Sequence, residues 1–149
     1  MNTVKIRKFT SEMIDECADL YMKTYAQEPW CESWESRDVV VDFYKNHINN
    51  NYFIGFVAEK DKRIVAISVG FAKPWIKGLE YYIDDFLVCP DHHRQGIGIA
   101  FMDAIKSELA AQNIHAIILN TERGYPAQKF YEKCGFESAE SSIIMYSVF

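Results

Sequence analysis

Apolar positions along this chain recur at two spacings, and the alternation between them predicts the elements. Val4 and Ile6 alternate with Lys5 and Arg7, which predicts a short edge strand over residues 3–8. Thr10 and Ser11 can cap a helix whose apolar positions Ile14, Cys17, Ala18, Tyr21 and Tyr25 fall at helical spacing, and Pro29 ends it. A second helix is predicted from Ser36 to the run HINNN, with Val39, Val40, Phe43, Tyr44 and His47 as its buried stripe. Residues 52–59 and 63–73 read as a hairpin turning at Lys60–Lys62, and Glu80–Cys89 as a third apolar strand. From Gly98 to Gln112 the pattern is an amphipathic helix carrying Phe101, Ile105 and Leu109 on one face. HAIILN, residues 115–120, is apolar on both faces, as in a strand inside a sheet. Pro126 opens a helix that Gly135 stops, and Ile143–Val148 predicts a last strand.

Antiparallel strands followed by a strand–helix–strand crossover predict a mixed α/β sheet with helices on both faces. No linker, repeat or low-complexity segment interrupts the 149 residues, so residues 1–149 are expected to form one domain. Apolar residues make up 49% and charged residues 25%, which suits a soluble globular protein. The net charge of −5 gives no compositional support to a nucleic-acid partner and would tolerate cationic small molecules. No run is long enough to span a bilayer, and the charge-dotted MNTVKIRKF is unlike a signal peptide. The four cysteines, Cys17, Cys31, Cys89 and Cys134, show no CxxC pair and no histidine at metal-ligand spacing, so no metal site is expected. Spread in this way they suit reduced thiols and a cytoplasmic location.

The candidate chemistry centres on DHHRQGIGIAFM, residues 91–102, which joins the strand of YYIDDFLVCP to a helix. A strand running into a glycine-rich turn and a helix start presents backbone N–H groups and a positive dipole end to an anion. A lone GxG is better explained as a plain turn using glycine for positive φ. A P-loop would need Lys-Ser or Lys-Thr after Gly98, and a dinucleotide fingerprint a third glycine where Phe101 stands.

The neighbourhood changes the reading. PDHHRQGIGIAFM, preceded by IDDFLV and followed by AQKFYEKCGF, resembles the GNAT superfamily of acyl-CoA-dependent N-acetyltransferases over Tyr81 to Phe136. The resemblance implies a mostly antiparallel twisted sheet of six to seven strands with about four helices, and acetyl-CoA as cofactor. By it, main-chain groups of His93, Arg94, Gln95, Gly96, Ile97, Gly98, Ile99 and Ala100 hold the pyrophosphate. Leu87 and Val88 bind the pantetheine arm through their backbones like an added strand. Asn120, Ala127 and Phe130 complete the cofactor contacts. Two positions depart from the family pattern: His93 stands where Gln or Arg is usual, and Gly124 where Asn is usual.

Acetyl transfer to an amine requires a proton acceptor for the amine and gains from a proton donor to the leaving thiolate. Tyr131 in KFYEKCGF matches the family's general acid, although its spacing alone would make it a core aromatic. YYIDDFLV resembles the matching strand of the spermidine/spermine acetyltransferases, whose first acid faces the acceptor. Asp84 is therefore the expected base, directly or through water, and Phe86 and Val88 on its face are expected to desolvate it and raise its pKa. A solvated pair of carboxylates remains the alternative, with another group or water as base. Glu28, Trp30 and Trp34 between the first two helices, with Tyr82 and Asp85 on the DD strand, form the expected acceptor set, and Trp75 is expected to border it. Aromatics with carboxylates suit a cation. His47, His92, His93, His115 and the cysteines receive no catalytic role.

The expected function is acetyl transfer to the primary amine of a small molecule, such as a polyamine, an aminoglycoside-like compound or an amino acid. A protein N-acetyltransferase and a non-catalytic acyl-CoA-binding module stay open as alternatives, the latter because of Gly124. Neither a nucleic acid nor a membrane is an expected partner, and the resemblance allows a homodimer.

Overall fold

The computed structural model describes residues 4–149. Strand β1 (Lys5–Lys8) forms one sheet edge; Thr3, the first residue of the expected strand, lies outside the described residues. After a single 3-10 turn at Ser11–Met13, α1 (Ile14–Tyr25) buries Ile14, Cys17, Ala18 and Leu20 and half-buries Tyr21 and Tyr25. Helix α2 (Arg37–Ile48) buries Val40 and Tyr44. Val39, expected on the same stripe, is 49% exposed, because the buried line runs through 40, 44 and 47 and one residue back turns about 100° away. Arg37 joins the two helices by donating to the Asp15 and Asp19 carboxylates and to the Asp15 carbonyl.

The remaining strands are β2 (Phe53–Lys60), β3 (Arg63–Trp75), β4 (Gly78–Val88) and β5 (Ile117–Leu119), in the order β1-β2-β3-β4-β5. The first four are antiparallel and β5 runs parallel to β4. The β2–β3 turn puts Asp61 and Lys62 both at positive φ, the geometry that matches the twist of a tight hairpin. Every residue from Ile64 to Gly70 is buried, so the middle of β3 is covered on both faces. Helix α3 (Ile97–Ala111) buries Phe101, Ile105 and Leu109 as the spacing predicts, and α4 (Pro126–Lys133) is followed by Gly135 at φ 90°. No helix among the described residues is long and apolar enough to cross a membrane.

Two features of β4 shape the site. Val69 pairs with Asp85 but Gly70 with Ile83, so Asp84 is the extra residue of a bulge. A side chain at Gly70 would stand 1.8 Å from the Tyr82 carbonyl oxygen, so only glycine allows this close approach. In addition, β5 pairs only with Tyr81–Ile83, so residues 84–88 keep β3 on one side and have no strand on the other.

The sheet has five strands rather than six to seven. Ile143–Val148, expected as a last strand, forms none. Trp75 sits opposite Gly78 at the tip of the β3–β4 hairpin, so it does not border the Asp84 region as expected.

Candidate active site

The unpaired edge of β4 runs straight into the glycine turn. Past Val88, Pro90–His92 make one 3-10 turn, then Arg94 and Gly96 both adopt left-handed conformations at φ 62° and 76°. The Ala100 N–H is the first of α3 to find an intrahelical acceptor, the Gly96 carbonyl at 3.1 Å. The N–H groups of Ile97, Gly98 and Ile99 therefore lie at a helix start with its positive dipole end. The two glycines have different tasks. Gly96 supplies the positive φ, whereas a side chain on Gly98 would meet the Phe130 ring at 2.8 Å, so Gly98 lets α3 pack closely on α4.

His93, at the position that departs from the family pattern, has Nε2 2.9 Å from the Val88 carbonyl and so donates to it, tying the turn to the strand end. Gln95 donates to the Asp91 carbonyl, and Asp91 in turn is paired with Lys23 of α1. Leu87 is buried, while Phe86 stacks on both Phe101 and Phe130 at 5.4 Å between ring centroids. These contacts hold β4, α3 and α4 around the open edge. The helix start offers N–H donors to an anion, and the unpaired β4 backbone offers a ladder to an extended arm.

Beside this edge is a cleft of about 340 Å³ that brings together Asp84, Asp85, Asn120, Ala127, Tyr131 and Trp30. Tyr131 is held by ring contacts to Phe86, Phe130 and Phe136. Burial, with the nearby Asp85 charge, raises its phenol well above the usual tyrosine range, so it keeps its proton at any ordinary pH. Asn120 donates to the Tyr82 hydroxyl at 2.8 Å, which places Tyr82 behind the cleft, stacked on Phe71, rather than in its lining. Glu28 and Trp34 are likewise outside the lining; Trp34 packs on Tyr21.

The environment expected for Asp84 is not the one it has. Asp84, the unpaired residue of the bulge, has a side chain 43% exposed and lines the cleft rather than being desolvated by Phe86 and Val88. Asp85 is the buried one. Its Oδ1 accepts from the Tyr25 hydroxyl at 2.5 Å and its Oδ2 has no partner. Burial pushes this carboxyl up to about 7, with the Asp84 charge adding to the rise against the Tyr25 hydrogen bond.

Sequence reasoning gave no site role to His47, Glu122 or Tyr25. His47 places Nδ1 2.8 Å from the Phe43 carbonyl and Nε2 2.7 Å from Asp84 Oδ2. A carbonyl only accepts, so Nδ1 carries a proton. The second contact then needs another proton between Nε2 and the carboxylate, which favours the charged imidazole. Burial opposes that charge, but the Asp84 and Phe43 hydrogen bonds outweigh it and His47 is raised above its ordinary value. The only legible signal was the spacing of Val40, Tyr44 and His47, which aims His47 toward the sheet. Glu32 and Glu122 also line the cleft, and burial raises Glu32. Among the described residues, then, four carboxyl groups and no lysine or arginine line this space.

A family model described as acetyltransferase (GNAT) family matches residues 14–136. No curated protein matches the chain. Among solved structures, a possible acetyltransferase from Clostridium difficile 630 is similar at 20% identity and TM-score 0.80, covering 98% of each chain. The aminoglycoside acetyltransferase meta-AAC0020 from an uncultured soil metagenomic sample, solved with sisomicin, is similar at 18% identity and TM-score 0.76, covering 99% of this chain and 97% of that one. AAC(6')-Iy, in complex with the bisubstrate analogue CoA-S-monomethyl-acetylneamine, is similar at 14% identity and TM-score 0.75, over 99% and 100% of the two chains. At these identities the likeness is one of fold.

Proposed function

Because this chain belongs to the acetyltransferase (GNAT) family, whose members take their acetyl group from acetyl-CoA, we propose that its acceptor is a small polycation bearing a primary amine, of the polyamine or aminoglycoside kind. The observation that carries this reading is the cleft lined by Glu32, Asp84, Asp85 and Glu122 without a balancing lysine or arginine. Glu32, Asp84 and Glu122, joined by Asp85 once it ionises at about pH 7, attract and orient ammonium groups in this partly desolvated space, and the Trp30 ring adds a cation–π surface. The solved relatives bound to sisomicin and to a neamine analogue agree with such an acceptor.

The residues divide the work as follows. Bound acetyl-CoA supplies a thioester whose carbonyl carbon is the electrophile. The N-terminal turn of α3 and the loop from His93 hold its pyrophosphate, and the open backbone of Leu87 and Val88 holds the arm so that the thioester meets the cleft. Asp84 takes the proton of the bound ammonium, directly or through water; the deprotonated amine forms the C–N bond as the C–S bond breaks. Tyr131 gives its phenolic proton to the departing sulfur. His47 holds the Asp84 carboxylate in place through its Nε2 contact at 2.7 Å.

A thiol-release assay with acetyl-CoA and a panel of amines tests the reading. Turnover is expected with an aminoglycoside and with spermidine, with a KM that rises with salt, and little with a neutral amino acid or a lysine peptide. A preference for the neutral or peptide acceptors would overturn it. Thermal stabilisation by coenzyme A without turnover on any amine would instead favour the non-catalytic binding module.

Asp84→Asn carries a second expectation. The rate should fall roughly tenfold near pH 6.5, where the amine needs a base, and less near pH 9, where more of the amine is already free. An unchanged pH profile would remove Asp84 from proton transfer.

A further inference from the structure

An alkylammonium has three N–H bonds and the amide made from it has one, so two protons leave the nitrogen in each turnover. Asp84 takes the first, directly or through water, and Tyr131 supplies the proton on the departing sulfur. The second is lost as the C–N bond forms, when the nitrogen is positively charged, and it needs its own acceptor in the cleft.

Tyr25, the last residue of α1, lines this cleft. Its hydroxyl donates to Asp85 Oδ1 at 2.5 Å and lies 3.5 Å from the Phe86 carbonyl oxygen, on the stretch of β4 that β5 does not pair. A hydroxyl has one proton, and the shorter contact takes it. The Tyr25 oxygen therefore keeps lone pairs to which no group among the described residues donates. Asp85 behind it is buried, its Oδ2 has no partner, and among the described residues Tyr25 is the one hydrogen-bond partner of its side chain. The hydrogen bonds thus mark out a route from the cleft to this carboxyl, and it runs through Tyr25.

The groups around Asp85 suit it to take a proton and return it. Tyr21 of α1, Tyr44 of α2, Tyr81 of β4 and Tyr131 of α4 all feel its charge, and burial raises each above the ordinary tyrosine range. Tyr25 is raised in the same way, so it stays a phenol and passes a proton on only as it receives another. Burial, Asp84 and Glu32 favour the protonated carboxyl, while the Tyr25 hydrogen bond and His47 favour the carboxylate. The balance leaves Asp85 titrating at about 7, where a proton acceptor is most useful.

We propose that Tyr25 and Asp85 form a proton relay for the acetyl transfer. An N–H bond of the acylated nitrogen breaks and its proton passes to the Tyr25 oxygen, while the Tyr25 O–H bond breaks and that proton passes to Asp85 Oδ1. The nitrogen keeps the electron pair and loses its positive charge, Tyr25 remains a phenol, and the carboxylate becomes a carboxylic acid. After the products leave, the proton returns along the same path to water in the cleft. Before the reaction the same carboxylate attracts the ammonium, so the charge that holds the cation also accepts its proton.

The relay rests on acetyl transfer in this cleft but not on the polycation assignment, so it is read on whichever amine of the panel turns over fastest. The parent's kcat should rise with pH through about 7, as Asp85 becomes able to accept. Tyr25→Phe keeps the ring contacts to Tyr21 and Trp30 and removes the hydroxyl. At about pH 8 its kcat should fall roughly tenfold to a hundredfold, with the KM for acetyl-CoA unchanged and the step near 7 gone. Asp85→Asn should show the same loss, and the double variant should be no slower than either single one, since all three cut one path. A Tyr25→Phe enzyme that keeps the step near 7, or a double variant whose losses multiply, overturns the relay and leaves the polycation reading standing. A preference for neutral amines, with the flat Tyr25→Phe profile, overturns that reading and upholds the relay. No turnover with any amine overturns both.

Discussion

Tyr131→Phe should lower kcat by about a hundredfold to a thousandfold while leaving the thermal midpoint and the KM for acetyl-CoA near those of the unaltered protein. The ring of Tyr131 packs on Phe86, Phe130 and Phe136, and phenylalanine keeps all three contacts. What the substitution removes is the hydroxyl of a residue that lines the cleft. That hydroxyl is held protonated by burial and by the Asp85 charge, so it can donate at every assay pH and imposes no limb of its own on the rate profile. If it protonates the departing sulfur, the loss falls on kcat, because the interaction is made as the C–S bond breaks and not when the thioester binds. A kcat within ~tenfold of the unaltered enzyme would sink the assignment, since positioned acids are worth more than that. The pH profile should keep its shape in the variant; a lost alkaline limb would mean that Tyr131 titrates in the working range.

How much of this was legible in the chain can be traced residue by residue. The helices were legible where one face dominates: Cys17 and Ala18 in α1, Phe101, Ile105 and Leu109 in α3 all point to the core as their spacing says. The glycine turn was legible as a turn, but the separate tasks of its glycines were not, since Phe130 reaches Gly98 only through tertiary packing. The acids of β4 were legible as a pair on opposite faces, and burial does alternate along residues 81–88, but the buried face is that of 81, 83, 85 and 87, so the neighbours of Asp84 on its own face do not desolvate it. The partnership of His47 with Asp84 crosses from α2 to β4, and no local pattern specifies it. The tail was read as a last strand over Ile143–Val148, and it forms none.

Asp85→Asn should change the pH dependence of stability by on the order of 4 kcal/mol between pH 4 and pH 8.5. The sign follows from where the proton resides. Below the ordinary value of 3.8 the carboxyl is protonated in both the folded and the unfolded chain, and folding carries no charge cost. Between 3.8 and about 7 the unfolded chain gives up its proton while the folded chain keeps it, so stability is lost as pH rises. Above about 7 the folded chain also ionises, and the full cost of a buried carboxylate with one unpartnered oxygen remains. Asparagine keeps an acceptor for the Tyr25 hydroxyl and has nothing to ionise. Denaturant unfolding of both proteins at several pH values isolates the effect, because any packing cost of the amide is independent of pH and cancels in the slope. The variant should gain on the parent steadily from pH 4 to 7 and then run parallel to it; a constant difference would mean that Asp85 does not hold its proton in the fold. The same ionisation bears on the cleft. Above about pH 7 a second negative charge appears behind Asp84, which itself faces the bound ammonium. The parent's KM for a polycation should therefore fall as pH passes through 7, and that step should be missing from Asp85→Asn. A carboxylate kept at a folding cost beside the acceptor is then best understood as a binding charge, retained for the cation it holds.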